Sequence, residues 1–460
     1  MIAPSTSLDH LESFFQSQQK SIRDDFFKFL RFKSISTDPD YKSDVLSCCS
    51  WVEEQLKKIG LETERWETSG HPTIFASHCK AGPGKPTVLI YNHYDVQPVD
   101  PLELWDSPPF EPVEKDGEVF ARGAQDNKGQ CFYVLKAIEA LFDQEDDLPV
   151  NLKLVIEGEE ETGSAGISAI LKERAKQLKA DYLIVADAGM QRLDQPSLTL
   201  GCRGIITMHV ELEGANSDLH SGSHGGLHRN TNHVLIDLLS RLRDAKGHIL
   251  VPGFYDDVKE LSDDERSKID FTFDSSEYRE MFGAEANGGE EEFSPFESAW
   301  IRPTLEINGI SGGYSGPGFK TVIPAKASAK ISCRLVPGQD PEKTGILVLD
   351  YLKKQVPKGF SIEAKLDHGG PAVRSSPNSK GVKAFAQAYS EVMNKPCRFT
   401  MEGGSIPVIA SLADVSGSEV VLMGFGLPDD KIHAPNEHFS IDRIRLGMLS
   451  IARALQILGE

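Results

Sequence analysis

The sequence predicts an α/β protein into which a second, α+β unit is inserted, on three observations. Short aliphatic runs at 87–95, 150–161 and 181–189 alternate with amphipathic helical stretches, the pattern of a sheet that carries helices. From about Gly204 the texture changes to longer alternating strands, and after residue 373 the first texture returns. At 460 residues the chain also exceeds one ordinary core, so a second unit has room inside the first.

The elements follow in order. Residues 8–32 place Leu11, Phe14, Phe15, Ile22, Phe26, Phe29 and Leu30 at helical spacing, so the chain starts in a helix. "TVLIYNHYD" (87–95), "VNLKLVIEGEEE" (150–161) and "DYLIVADAG" (181–189) are buried strands that each finish in acidic or imidazole residues. Between the first two, "QCFYVLKAIEALF" puts Cys131, Val134, Leu135, Ile138, Leu141 and Phe142 on one helical stripe. Sheets of this kind hold ligands beyond the carboxyl ends of their strands, where all the candidate chemistry here lies.

In the inserted unit, "ITMHVELEG" and "AKASAKISCRLVPG" alternate as strands do, and 232–245 carries a helical pattern. The acidic, mixed stretch 253–300 is expected to be a solvated face. After "HGGPAV" come a helical stretch, a strand in "SEVVLMGFG" (418–426) and an amphipathic helix from Ile441 to Leu458.

Composition narrows the function. Hydrophobic residues at 39% and charged residues at 26% are ordinary for a soluble globular protein. A net charge of -20 disfavours nucleic acid and anionic membranes, because no basic excess exists to displace counterions from phosphate. The first residues, "MIAPSTSLDHLESFF", lack a basic start and an apolar run, and no later run has bilayer-spanning length, so a cytoplasmic location is expected. The seven cysteines show no CxxC spacing, which points neither to a disulfide framework nor to a thiolate zinc site.

The chemistry gathers at strand ends. His93 and Asp95 close the first strand; alone, such a histidine is ordinarily a structural residue. Asp126, in "ARGAQDNKGQ", stands just before a helix and on its own reads as an N-cap. "EGEEETGS" then crowds Glu157, Glu159, Glu160 and Glu161 at the end of an apolar strand, where they raise one another's pKa unless cations neutralise them. Asp187 ends a third strand, and His433 follows a fourth in "KIHAPNEHF". Carboxylates and imidazoles from four strand ends are what a site for two divalent ions requires, with one carboxylate bridging ions about 3.5–4 Å apart. Thiolates are absent from the set, so a hard or borderline ion such as zinc or manganese is expected.

"HYDVQP", "GAQDNKG", "EEETGS", "DLHSGSHGG", "RLVPGQDPE", "EGGSIP" and "HAPNEH" together resemble the dinuclear metallopeptidase family of cytosolic non-specific dipeptidases and carnosinases, relatives of the aminoacylases and amino-acid deacylases. The resemblance runs from about residue 10 to 460, and "ILVPGFYDDV" with "RPTLEINGISGGYSG" favours the dipeptidase branch. It implies a mixed-sheet catalytic domain of zinc-peptidase type in two parts, 1–205 and 372–460, interrupted by an inserted lid and dimerisation domain at 206–371. It further implies two divalent ions per subunit, Zn2+ first and Mn2+ second, with Asp126 bridging, His93 and Asp187 on one ion, and Glu161 and His433 on the other.

The same resemblance implies that Asp95 orients His93, that Glu160 is the general base for a metal-bridging hydroxide, and that the Asp126–Asn127 peptide is cis. His220 would reach the oxyanion from the partner subunit of a homodimer, and Arg334 would pair with the substrate carboxylate. Thr321, His368 and Ser405 would line the same pocket, and Glu402 would meet the free amine. Where the family often has an apolar or neutral residue this chain has Glu159; Glu160 and Glu161 keep their roles because they immediately precede "TGS". The expected activity is hydrolysis of dipeptides, the alternatives being an N-acyl amino acid deacylase on the same scaffold or a non-catalytic binding protein.

Overall fold

The computed structural model describes residues 6–144 and 147–460, the side chains of Thr6, Ser7 and His368 excepted. The strand Thr87–His93, buried along nearly its whole length, lies inside a nine-stranded sheet. Its order is Glu62–Trp66, Thr73–His78, Asn151–Glu157, Thr87–His93, Tyr182–Ala186, Glu419–Met423, Ser197–Cys202 and Val373–Arg374, with Arg398–Glu402 also paired to Ser197–Cys202. The sheet is mixed: Thr87–His93 runs parallel to both its neighbours and Glu419–Met423 parallel to Tyr182–Ala186, whereas the Glu62–Trp66 edge is antiparallel. Parallel pairing needs crossover helices, and these cover both faces.

On one face, the helices Thr6–Leu30, Lys42–Ile59, Lys128–Gln144, Lys380–Met393 and Ile441–Gly459 build the largest core. Lys128–Gln144 is buried almost all round because the other helices enclose it, from Phe26 on one side to Leu449 on another. On the opposite face, Ala165–Leu178 and Pro407–Ser416 close a second core over Leu89, Tyr91 and Val155.

A separate four-stranded antiparallel sheet has the order Thr304–Gly312, Lys326–Leu335, Gly204–Glu213 and Ser361–Gly370. Its strands alternate, as Gly204–Glu213 does from buried to half-buried along its length, because only one face is covered, by the helices Thr231–Ser240 and Pro341–Gln355. Thr304–Gly312 is an edge strand with exposed Ile307 and Ile310.

Three expectations need correction. The helix expected over 232–245 ends at Ser240, because Leu250 donates its N–H to the Leu242 carbonyl and Arg243 bridges Ile249, turning the chain back. The strand expected over 150–161 stops at Glu157, and Glu160–Thr162 forms a single tight turn closed by Gly163 in the left-handed region. Residues 253–300 are not simply a solvated face: Ile269 and Trp300 are buried in the large core, and Phe271 and Phe296 pack against it.

Candidate active site

Four strand ends converge. His93 is the last residue of its strand, and Asp187 directly follows the neighbouring strand Tyr182–Ala186. Asp126 stands two residues before the helix Lys128–Gln144, after a cis peptide bond is counted between it and Asn127. Glu160 and Glu161 occupy the turn beyond Asn151–Glu157, and His433 lies in the loop after Glu419–Met423. That loop holds Lys431, His433 and Asn436 at positive φ, a cluster of left-handed non-glycine residues of the kind found where a loop is held for function.

The Asp126 carboxylate is shared between two imidazoles. Its Oδ1 lies 3.1 Å from His93 Nε2 and its Oδ2 lies 3.0 Å from His433 Nε2. His93 Nε2 is also 3.8 Å from Asp187 Oδ2, and His433 Nε2 is 3.4 Å from Glu161 Oε2. Two clusters result, His93–Asp126–Asp187 and Asp126–Glu161–His433, each with its ligand atoms within 4.8 Å of one another. Donors about 2.0–2.1 Å from a tetrahedral ion stand roughly 3.3 Å apart, the middle of the separations found. Glu161 Oε1, buried and without a hydrogen-bond partner among the described residues, is one more atom able to ligate a cation. The residues therefore fit a pair of divalent ions of the kind that imidazole and carboxylate prefer.

Charge supports this fit. Burial, then the neighbouring Asp187, Glu161 and Asp126 carboxylates, push the Glu160 carboxyl well above its usual range, although His93 opposes them. Burial likewise lifts Asp187 to about 7 and raises Glu161, the latter with help from Asp126. Asp126 goes the other way: burial would raise it, but the hydrogen bonds from His433 and His93 hold it below the carboxylate range. His433 is lifted to about 10 by its hydrogen bonds to Asp126 and Glu161. So many buried carboxylates facing one cavity are a demand for positive charge.

Asp95 touches more than its expected partner. Its Oδ1 lies 3.2 Å from His93 Nδ1 and accepts the Glu160 N–H at 3.2 Å. Its Oδ2 accepts the Ser36 hydroxyl at 2.6 Å and the Glu161 N–H at 3.1 Å. One buried carboxylate thus positions an imidazole and the turn carrying both glutamates. Of the four glutamates in "EGEEETGS", Glu157 turns away to accept from Tyr91 and Ser164, and Glu159 accepts the N–H groups of His71 and Ile167. Only Glu160 and Glu161 of the four face the site.

Several supports escaped the sequence. Fully buried Glu437 accepts from the backbone N–H groups of Gly123, Gln125 and Asp126 and from Arg122 Nη1, at 2.8–3.0 Å, and so fixes the loop that presents Asp126. Asn127 donates to Asp187 Oδ1 at 2.6 Å and is itself held by Asn92, while Gln97 donates to Glu161 Oε2 at 2.7 Å. The sequence signal for Glu437 is weak: an acidic residue within "HAPNEH", with nothing local to name its partners.

A cavity of about 570 Å³ opens over Asp126, Glu160, Asp187 and His433, and Arg334, Glu402 and Ser405 lie on its wall. Arg334 reaches it from the four-stranded sheet and donates to Ser405 Oγ at 2.8 Å. Glu402 accepts the N–H groups of Gly403 and Gly404. His220 and Thr321 lie together elsewhere, exposed at the short strand pair Leu219–His220 and Val322–Ile323, and neither lines this cavity within the one chain. His220 Nδ1 there accepts the Gly222 N–H. The side chain of His368, on the strand Ser361–Gly370, is outside the described residues.

A family model described as peptidase family M20/M25/M40 matches residues 89–457. The Cys-Gly metallodipeptidase of Schizosaccharomyces pombe is 32% identical over 461 residues, covering 96% of each chain. The Beta-Ala-His dipeptidase of Homo sapiens is 32% identical over 420 residues, 88% of this chain and 83% of that one. Among solved structures, an M20 family metallo-carboxypeptidase from Sulfolobus solfataricus aligns at a TM-score of 0.86 with 33% identity, covering 95% of this chain and 99% of the other. A di-peptidase from Saccharomyces cerevisiae aligns at 0.84 with 28% identity, covering 98% of both.

Proposed function

Because the chain belongs to peptidase family M20/M25/M40, we propose that it is a metal-dependent dipeptidase. The observation that carries this reading is the Asp126 carboxylate shared between His93 and His433, on a chain 32% identical along most of its length to named dipeptidases. His93, Asp126 and Asp187 would hold one ion and Asp126, Glu161 and His433 the other, Zn2+ being the first choice and Mn2+ the second for this donor set. When bound, such ions supply Lewis acidity and ease the ionisation of water at neutral pH.

The chain's own residues do the rest. Glu160 takes a proton from the attacking water on its carboxylate and returns it to the amine that leaves. Arg334 and Ser405 hold the carboxylate end of the substrate, and Glu402 meets its free amine. Asp95 holds His93 and the Glu160 turn in register.

Residues 206–371 form the lid and dimerisation domain in this reading, and the protein works as a cytoplasmic homodimer. Exposed Leu227, Ile310 and Phe319 and the uncovered edge Thr304–Gly312 support pairing of that unit. His220 and Thr321, exposed and away from their own cavity, would serve the partner's site. The test is Glu160→Ala: metal content and assembly state stay as in the wild type, while turnover of a dipeptide falls by about 10²–10⁴-fold. Normal turnover would overturn the assignment, and an N-acetylated dipeptide as the better substrate would favour a deacylase.

A further inference from the structure

A second cavity, of about 380 Å³, adjoins the catalytic one and shares Gln191, Phe296 and Pro428 with it as a common wall. Its outer side is the helix Ser275–Phe282 from the stretch that the sequence marks only as acidic. An aromatic series runs from one cavity into the other. Trp300 stacks on Phe296 at 4.0 Å between ring centres, Phe296 meets Phe273 at 4.9 Å, Phe273 meets Tyr278 at 5.4 Å, and Tyr278 meets Phe282 at 5.0 Å. Trp300 and Phe296 face the catalytic cavity; Phe296, Phe273, Tyr278 and Phe282 face the second.

The charged groups around this chamber are already engaged. Asp270 pairs with Arg398, Arg192 with Asp194 and Glu277, and Asp274 accepts the N–H groups of Ser276 and Glu277. What is left for a ligand is aromatic surface and a few uncharged polar residues, among them Gln191, Gln195, Thr400 and Ser197. Ser197, 4% exposed, is part of the chamber wall, and its hydroxyl, buried just behind the surface, has no hydrogen-bond partner among the described residues.

The position of the chamber selects the part of the substrate that reaches it. Arg398–Glu402 and Ser197–Cys202 run parallel, with Arg398 level with Ser197, Thr400 with Thr199, and Glu402 with Cys202. Glu402 and Cys202 line the catalytic cavity beside Arg334 and Ser405, whereas Arg398, Thr400 and Ser197 line the chamber. Two to four residues along a strand are about 7–13 Å, and an extended dipeptide spans about 7 Å. With the substrate carboxylate at Arg334, only a long side chain on the other residue arrives in the chamber.

We propose that this chamber is the specificity site for a large aromatic residue at the amino end of the substrate, tyrosine foremost, whose polar tip meets Ser197 Oγ. The inference rests on the dipeptidase reading. Its volume falls in the range of small-molecule pockets, and the aromatic walls reward burial of a ring.

The test measures kcat/KM of metal-loaded protein for Ala-Gly, Phe-Gly, Tyr-Gly and Gly-Tyr, with calorimetric binding of Tyr-Gly and Ala-Gly to the Glu160→Gln variant. Tyr-Gly should exceed Ala-Gly by about tenfold or more, in line with what a hydrophobic pocket discriminates, and Gly-Tyr should gain nothing. Phe273→Ala should bring the Tyr-Gly to Ala-Gly ratio close to one. Tyr278→Ala, on the exposed helix and outside the core, should lower that ratio too and serves if Phe273→Ala does not fold. Ser197→Ala should lower Tyr-Gly relative to Phe-Gly. Equal handling of Ala-Gly and Tyr-Gly, or a preference that survives both wall substitutions, overturns the proposal. If no dipeptide is hydrolysed while calorimetry still ranks Tyr-Gly above Ala-Gly and the wall variants erase that ranking, the chamber stands and the dipeptidase reading falls.

Discussion

Replacing Asp95 by asparagine tests whether one carboxylate couples the imidazole to the base. Asp95 receives Ser36 and the Glu161 N–H on one oxygen, and the Glu160 N–H beside His93 Nδ1 on the other. An asparagine of the same shape offers one oxygen and one NH2, so either way round one backbone N–H faces another donor. An unsatisfied buried donor costs about 1–3 kcal/mol. His93 loses less, because its Nδ1 also lies 3.2 Å from the Asp95 backbone carbonyl, which keeps the proton on that nitrogen. The affinity for the ion beside His93 should therefore fall near the low end of what outer partners contribute, about tenfold. Turnover at saturating metal should fall by a further factor of about 5–160, the rate equivalent of that stranded donor at the Glu160 turn. Competitive metal titration against a chelator gives the first quantity and steady-state kinetics at saturating metal the second. Metal affinity and turnover both within twofold of wild type would refute the coupling. If Asp95→Ala and His93→Ala lost metal equally and completely, Asp95 would have to be a direct ligand.

Two further outcomes are expected. Mixing His220→Ala subunits with Glu160→Ala subunits should restore up to about a quarter of wild-type activity, since random exchange builds one intact site in half of the dimers; no recovery after verified subunit exchange would put His220 outside the partner's site. His248 sits 2.9 Å from Glu290 and 3.0 Å from Glu292, and its hydrogen bonds to Glu292 and Glu290 raise its pKa. A raised folded value means stabilisation that is fully present below the unfolded pKa of about 6.5 and is lost as pH rises through the folded value. Urea midpoints of His248→Ala should thus lie below wild type at pH 5.5 and converge with it at high pH; a constant offset would refute the linkage.

What the sequence discloses and what it withholds divide by range. His93, Asp187 and His433 were legible as candidates because each follows an apolar run that marks a buried strand, and Asp126 because it immediately precedes a helical one. The separation of Glu160 and Glu161 from Glu157 and Glu159 was not legible from charge: it depends on a tight turn and on Tyr91, Ser164 and His71 taking up the other two. The stretch 253–300 was read only as an acidic, solvated face, because the packing of its aromatic residues, Trp300 on Phe296 above all, depends on a core assembled from distant segments. The helix over 231–240 was found but overextended, since its end is set by the Leu250–Leu242 hydrogen bond and not by a breaker in the sequence.

Glu437 also fixes an order of events. The loop at 122–126 and the glutamate that receives its donors are more than three hundred positions apart, and His433 is 307 from Asp126. During synthesis, His93, Asp126, Glu161 and Asp187 all emerge long before either. A growing chain holds most of the ligands and none of the means to lock Asp126 between two imidazoles. Of the two clusters, His93–Asp126–Asp187 is present in the chain early, whereas Asp126–Glu161–His433 is completed only once the loop that carries His433 has been made.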